Sequence, residues 1–320
     1  MRTAVTGSIA TDHLLTFDGR FVEQLLPDRL DRLSVVFLAS DLQVRRGGTG
    51  ANIAFGMAAL GARPLLVGSV GRDAEAYVAD LARAGVDTSG VHVSETLASP
   101  RFTCTTDRDQ NQVGTFFPGA MTEAAGIELA PLGPVDLVVV APNDPGAMLR
   151  HTAECRERGI PFAADPSQTL TFLDGAAITQ LLEGADWLFT NEYEAALVRD
   201  KTGLGDAEVL DLVGTRVITR GANGVSVLRR GEPELQVPVA PARRVADPTG
   251  VGDAFRAGFL TARSWGLGVE RCAQVGALLA THVVETVGTQ EYAVTGDRFA
   301  ARLAESYGEQ AAAEVAPHLR

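Results

Sequence analysis

Short apolar runs alternate with segments of helical periodicity along most of the chain. Strands are predicted at Ala4 to Ile9, Pro64 to Ser69, Leu137 to Ala141, Pro161 to Ala164, Trp187 to Thr190 and Val217 to Thr219. Between them, helices are predicted at Ala51 to Leu60, Ala74 to Ala84, Pro145 to Arg158, Gly175 to Glu183 and Glu192 to Arg199. Several of these strands are apolar at every position, as in a parallel sheet covered by helices on both faces, so the pattern is that of a βαβ protein. Two segments break the rhythm. Residues 11–47 and 99–118 carry alternating strings, such as Arg101 to Thr106 and Gln112 to Phe117, that read as antiparallel strands of a small β lid. The rest, 1–10, 48–98 and 119–320, is expected to form one large α/β body. Its last part is mostly helical, from the turn Gly250 to Gly252 through Asp253 to Ser264 and Val269 to Glu285.

Composition narrows the chemistry. The 320 residues are 46% hydrophobic and 21% charged, ordinary for a globular protein with a large core. A net charge of −12 repels polyanions, which excludes nucleic acid as a main partner. Cys104, Cys155 and Cys272 are far apart and form neither a CxxC pair nor an even set, which suits a reducing cytoplasm. No apolar run approaches the roughly 18 residues of a membrane span, and Arg2 leads into a strand without a signal-peptide pattern, so the expectation is a soluble cytoplasmic protein. Lys201 is the only lysine, and no GxxxxGK[ST] loop, HExxH or GxSxG motif occurs. The chemistry is left to carboxylates, backbone amides or a bound metal.

The segment Asp247-Pro248-Thr249-Gly250-Val251-Gly252-Asp253-Ala254-Phe255 sets two glycines and an acid at the start of an amphipathic helix. Glycines free the backbone to turn its amides toward one point, and the helix N-terminus adds partial positive charge, so Gly250, Val251, Gly252 and Asp253 can form an anion site without lysine. Asp253 reads either as a helix cap or as a general base beside that anion. A second cluster, Arg46-Gly47-Gly48-Thr49-Gly50-Ala51-Asn52, opens the first long helix. It is not a dinucleotide fingerprint, because Ile53 stands where the third glycine would be.

Taken with Asn191-Glu192-Tyr193-Glu194 and Thr219-Arg220-Gly221-Ala222-Asn223-Gly224, these clusters occur in the order and at the separations of the ribokinase-like sugar and nucleoside kinases, which the chain resembles over nearly its whole length. Within that family it is most similar to the ribokinase-sized bacterial adenosine kinases, through Val5 to His13, Arg101 to Asp107, Ala164 to Gln168 and Gly288 to Glu291. The usual Asp-Thr-x-Gly-Ala-Gly-Asp appears with Pro248 for Thr and Val251 for Ala, away from the glycines and the final Asp.

The resemblance implies a three-layer α/β sandwich with a mainly parallel sheet plus an antiparallel β lid. It implies an ATP-dependent kinase that phosphorylates the 5′-hydroxyl of adenosine in purine salvage, or else acts on ribose, fructose or another nucleoside. Asp253 would take the hydroxyl proton while the amides of Gly250 to Asp253 hold the transferring phosphoryl group. Asn191 and Glu194 would order waters on Mg²⁺, and Thr219, Gly221 and Gly224 would receive the ATP adenine and ribose. Asp247, Thr249 and Gly288 would hold a monovalent cation such as K⁺. Asp12, Gly48 and Asn52 would grip ribose hydroxyls. Phe102 and Phe116 would stack on the base, and Ser8 and Gln168 would hydrogen-bond its edge. A homodimer joined through the lids is expected from the strand edges such a lid leaves unpaired.

Overall fold

The computed structural model describes residues 1–25, 32 and 34–319. Its strands are β1 Thr3–Thr6, β2 Ala10–Thr16, β3 Asp41–Gly47, β4 Leu65–Gly71, β5 Asp87–Ser94, β6 Arg101–Thr106, β7 Gln112–Phe117, β8 Leu137–Val140, β9 Phe162–Ala164, β10 Trp187–Asn191, β11 Thr215–Thr219, β12 Val225–Arg229 and β13 Leu235–Val237. Its helices are α1 Phe21–Gln24, α2 Thr49–Ala59, α3 Glu75–Arg83, α4 Pro145–Arg158, α5 Gly175–Leu182, α6 Glu192–Thr202, α7 Asp206–Leu212, α8 Val251–Ser264, α9 Val269–Val284, α10 Gly296–Tyr307 and α11 Glu309–Val315.

The central sheet runs β13-β12-β11-β10-β9-β8-β1-β4-β5 and is parallel from β11 to β5, with β12 and β13 added antiparallel at one edge. The all-apolar strands have a direct structural reason. In β8, Val139 packs into the core under α2, α8 and α9, while its neighbours Val138 and Val140 pack into the core under α4, α5 and α6. A strand between two helical layers has no polar face to offer. The result is an α/β three-layer sandwich. Pro145 at the first position of α4, after an Asp144 side chain that accepts the Ala147 amide, starts that helix where the sequence placed it.

The lid sheet has the order β3-β2-β6-β7. Its outer ladders are antiparallel, but the central β2–β6 ladder is parallel, because residues 48–98 of the body intervene between the two lid segments. Of the expected lid segment 11–47, residues 26–31 and 33 lie outside the described residues. Three strands escaped the sequence pattern: β5, at the sheet edge with only two of its eight residues buried, and the short hairpin β12–β13. The strand predicted over Ala4 to Ile9 ends at Thr6. Gly7 and Ser8 then turn toward the lid, their amides bonded to the carbonyls of Val67 and Pro142. Lys201, in the last turn of α6, sets Nζ on the carbonyls of Thr171 and Leu173, a structural tie. All three cysteines are buried and unpaired.

Candidate active site

The site is built around the N-terminus of α8. Gly250 precedes that helix with φ of 77°, a conformation open to glycine, and the first amides of the helix have no partner within it. A Cβ at Gly252 would lie 2.8 Å from Nη1 of Arg256, so glycine there leaves room for a guanidinium against the start of the helix. Asp253, on the first turn, accepts from Nδ2 of Asn52 at 2.8 Å. Burial pushes the Asp253 carboxyl up to about 6, Asn52 and Arg256 oppose that shift, and Glu194 adds to it.

Beneath this turn lies a buried charge cluster. Arg256 Nε is 2.6 Å from Asp165 Oδ2, and Nη2 is 3.9 Å from Glu194 Oε2. Asp165, just past β9, is fully buried, and burial pushes its carboxyl up to about 7 against the pull of Arg256. Asn191 and Glu194 form a reciprocal cap at the start of α6: Glu194 N–H donates to Asn191 Oδ1 and Asn191 N–H donates to Glu194 Oε2, each at 2.8 Å. Glu194 is only 8% exposed, so it is not the solvent-facing acid that a bare cap would leave.

The lid contributes one row of side chains. Across the four strands, Arg45, Asp12, Phe102 and Phe116 are register partners in turn. Directly paired residues share a face of a sheet. That face looks at the body, because Arg45 Nη1 reaches Asp247 Oδ2 at 3.7 Å and Asp12 feels the charge of Asp253 on α8. Asp12 is pushed up to about 6 by burial and by Asp253, with Arg45 opposing. Phe102 and Phe116 therefore stand side by side as one wall, not as two sides of a sandwich.

On the other side of the Gly250–Gly252 loop, an apolar cavity of about 410 Å³ is lined by Thr219, Gly221, Gly224, Val245, Pro248 and Phe255, among others. The expected cation-site residues also converge. Asp247 accepts the amides of Thr249 at 2.9 Å and Gly288 at 3.1 Å. Burial works against its ionisation, but those amides and Arg45 outweigh burial and hold its carboxyl below the usual range. Two expected base contacts stand differently. Ser8 Oγ accepts the Thr49 amide at 3.0 Å and so helps start α2, leaving its hydroxyl hydrogen available. Gln168 is exposed, beside Ser167 at φ of 43°. Gly48 caps α2 at φ of 91°.

Four further residues belong to this geometry and had no role assigned from the sequence: Arg256, Tyr77, and Thr289 and Gln290, which lie within the Gly288 to Glu291 motif. An arginine on an amphipathic helix reads as a solvated charge. Only the glycine four residues before it, leaving room for its head group, hinted otherwise.

A family model described as pfkB family carbohydrate kinase matches residues 19–295. The nucleoside kinase of Methanocaldococcus jannaschii is 30% identical over 259 residues, 80% of this chain and 85% of the relative. The structure of Burkholderia thailandensis nucleoside kinase in complex with inosine superposes with a TM-score of 0.86 at 34% identity, covering 96% of this chain and 98% of that one. The ribokinase from Cryptococcus neoformans in complex with ADP has a TM-score of 0.79 at 20% identity, covering 94% of this chain and 99% of that one, a likeness of fold.

Proposed function

The chain belongs to the pfkB family of carbohydrate kinases, and on that premise we propose that it is an ATP-dependent nucleoside kinase that phosphorylates the 5′-hydroxyl of adenosine to give AMP in purine salvage. The observation that carries this reading is the lid row. It sets a carboxylate, Asp12, beside two aromatic rings, Phe102 and Phe116, on the face that looks at Asp253. A bare sugar has use for the carboxylate but none for the rings. A nucleoside uses both. The inosine complex of the Burkholderia thailandensis relative supports a nucleoside acceptor.

In this reading Asp253 removes the proton from the attacking hydroxyl as the amides of Gly250, Val251, Gly252 and Asp253 hold the phosphoryl oxygens, so the protein positions the reactants and stabilises charge. Asp12, Asn52 and the Gly48 backbone hold the ribose, with Ser8 and Gln168 at the base edge. Thr219, Gly221 and Gly224 line the cavity proposed for the ATP adenine and ribose. Asn191 and Glu194 fit a water-mediated Mg²⁺ site, since their mutual cap uses Oε2 of Glu194 and leaves Oε1 for metal-bound water. The metal would offset charge on the ATP phosphates. A monovalent cation such as K⁺ would take Asp247 and the Thr249 carbonyl, with Gly288 adjacent, and would share Asp247 with Arg45. We also propose a homodimer through the lids: Val44 on β3 and Val113 and Phe117 on β7 are exposed on the two edge strands.

The deciding experiment is ADP release by the purified protein with adenosine, inosine, guanosine, ribose and fructose. Adenosine should give the largest kcat/KM, and a preference for ribose or fructose would overturn the reading. Phe102→Ala and Phe116→Ala should each weaken adenosine roughly 5- to 150-fold, the worth of one base-stacking contact. Any ribose turnover should change little. Equal losses for both substrates would show that the rings only pack the lid.

For the metal pair, Glu194→Gln should raise the Mg²⁺ concentration needed for half-maximal rate roughly 10- to 100-fold, as loss of a group that orders a metal's shell does. Adenosine affinity measured without ATP should be unchanged. Weakened adenosine binding with no recovery at high Mg²⁺ would place Glu194 in the nucleoside site instead.

A further inference from the structure

The Asn52 side chain is 6% exposed, and its surroundings fix which end of the amide meets Asp253. Nδ2 donates to Asp253 Oδ2 at 2.8 Å, while Oδ1 accepts from Gln290 Nε2 at 2.8 Å and lies 3.0 Å from Thr289 Oγ1. An amide can turn either end to a carboxylate. Here a turned amide would face its NH₂ toward the Gln290 NH₂ and its oxygen toward Asp253, losing both bonds. The chain of bonds goes on to the root of the lid. Gln290 Nε2 donates its second hydrogen to the Tyr77 hydroxyl at 2.6 Å, and that hydroxyl donates to the Gly47 carbonyl at 2.9 Å. Thr289 Oγ1 is also 3.0 Å from the Arg46 carbonyl. Arg46 and Gly47 are the last two residues of β3, where the lid strand returns to the body.

Resting on the kinase reading above, we propose that Thr289, Gln290 and Tyr77 are positioning residues: they lock the Asn52 amide with its N–H on Asp253 and tie that lock to the lid root. Two consequences follow. The base is held in its ionised, correctly aimed form by a donor whose own orientation depends on where the lid backbone sits. With Oδ1 taken by its partners, Asn52 meets a substrate only as a donor through its remaining N–H, so a hydroxyl proton must go to a carboxylate.

The groups facing Asp253 are Asp12 from β2, Glu194 from α6, Asp165 beyond β9, Arg256 from its own helix and the Tyr292 phenol. Substitutions at 77, 289 and 290 leave all of them in place, so a change at Asp253 reports on the amide. The test is a ¹³C carboxyl NMR titration of the full chain, with the Asp253 resonance assigned by its loss in Asp253→Asn. It is run on wild type, on Tyr77→Phe and on the double variant Thr289→Val/Gln290→Leu.

In the double variant the Asp253 midpoint should rise by about one pH unit, because a donor to the ionised form is no longer held, and in Tyr77→Phe it should rise by less. The matching kinetic result is a kcat about fivefold lower at pH 6 and nearly restored at pH 8. A simple packing defect would lower kcat equally at both pH values. An unchanged midpoint in a double variant with wild-type circular dichroism overturns the lock. If the double variant does not fold, an unchanged midpoint in Tyr77→Phe overturns it. Failure of the wild type to phosphorylate any nucleoside sinks the kinase reading, and the titration still decides the lock.

Discussion

Asp253→Asn is expected to lower kcat by roughly 10²- to 10⁴-fold, the usual contribution of a positioned general base, and to leave nucleoside binding within about tenfold. The reason is that the base acts on a proton that moves only in the transition state, while the ground-state contacts come mainly from the lid row and the backbone. The wild-type pH profile carries a matching sign. A base must be ionised, and burial has pushed Asp253 up to about 6, so activity should fall as pH drops through that region. Asp12 is pushed up to about 6 by burial and by Asp253 itself, so the acid limb belongs to the two carboxyls together. The variant's residual rate should lack the Asp253 part of that limb.

Stability should move the other way. A carboxyl whose folded pKa is raised costs stability once pH exceeds its unfolded value, so the neutral amide should melt at the same or a higher temperature at pH 8. Retention of most of the wild-type kcat would remove Asp253 from the role of base.

The parts of this site that were legible in the sequence are those whose cause is local. Two glycines and an acid before an amphipathic helix predict the start of α8, because the constraint, a backbone that must turn and leave amides free, acts on consecutive residues. The βαβ pattern was legible for the same reason, with one exception: edge strands such as β5 carry polar faces and lose the all-apolar signature. Register was not legible. That Arg45, Asp12, Phe102 and Phe116 form one row depends on three ladders joining segments from both sides of residues 48–98, and no spacing along the chain encodes it. The roles of Thr289, Gln290 and Tyr77 depend on contacts more than 200 residues apart in the chain. Asn52 shows the difference within one residue. Its motif marks it as important, but its partners decide which end of the amide is used.

Arg256 is where a long-range contact has the largest energetic consequence. It is 5% exposed, on α8, with Asp165 and Glu194 around its guanidinium. A buried ion pair contributes little net stability compared with a well-packed apolar pair, but removing one partner strands the other. Arg256→Leu should therefore destabilise the protein by about 3–5 kcal/mol, read by chemical denaturation.

The pH dependence separates stranded charge from lost packing. Asp165 already has its folded pKa raised to about 7 by burial, against the pull of Arg256, and losing that pull raises it further. A carboxyl raised in the fold is neutral below its folded pKa. The variant and the wild type should then both hold Asp165 largely protonated at pH 6, and the gap between them should be smaller there. Above about pH 7 the wild type gains a carboxylate paired with Arg256, whereas the variant must keep Asp165 protonated or ionise it without a partner, so the deficit should widen through pH 8.5. A double variant, Arg256→Leu with Asp165→Asn, should recover much of the loss at high pH, because the stranded charge goes with it. A deficit of equal size at pH 6 and pH 8.5, unrelieved in the double variant, would mean that Arg256 acts through the packing of its side chain on Phe189 and not through charge.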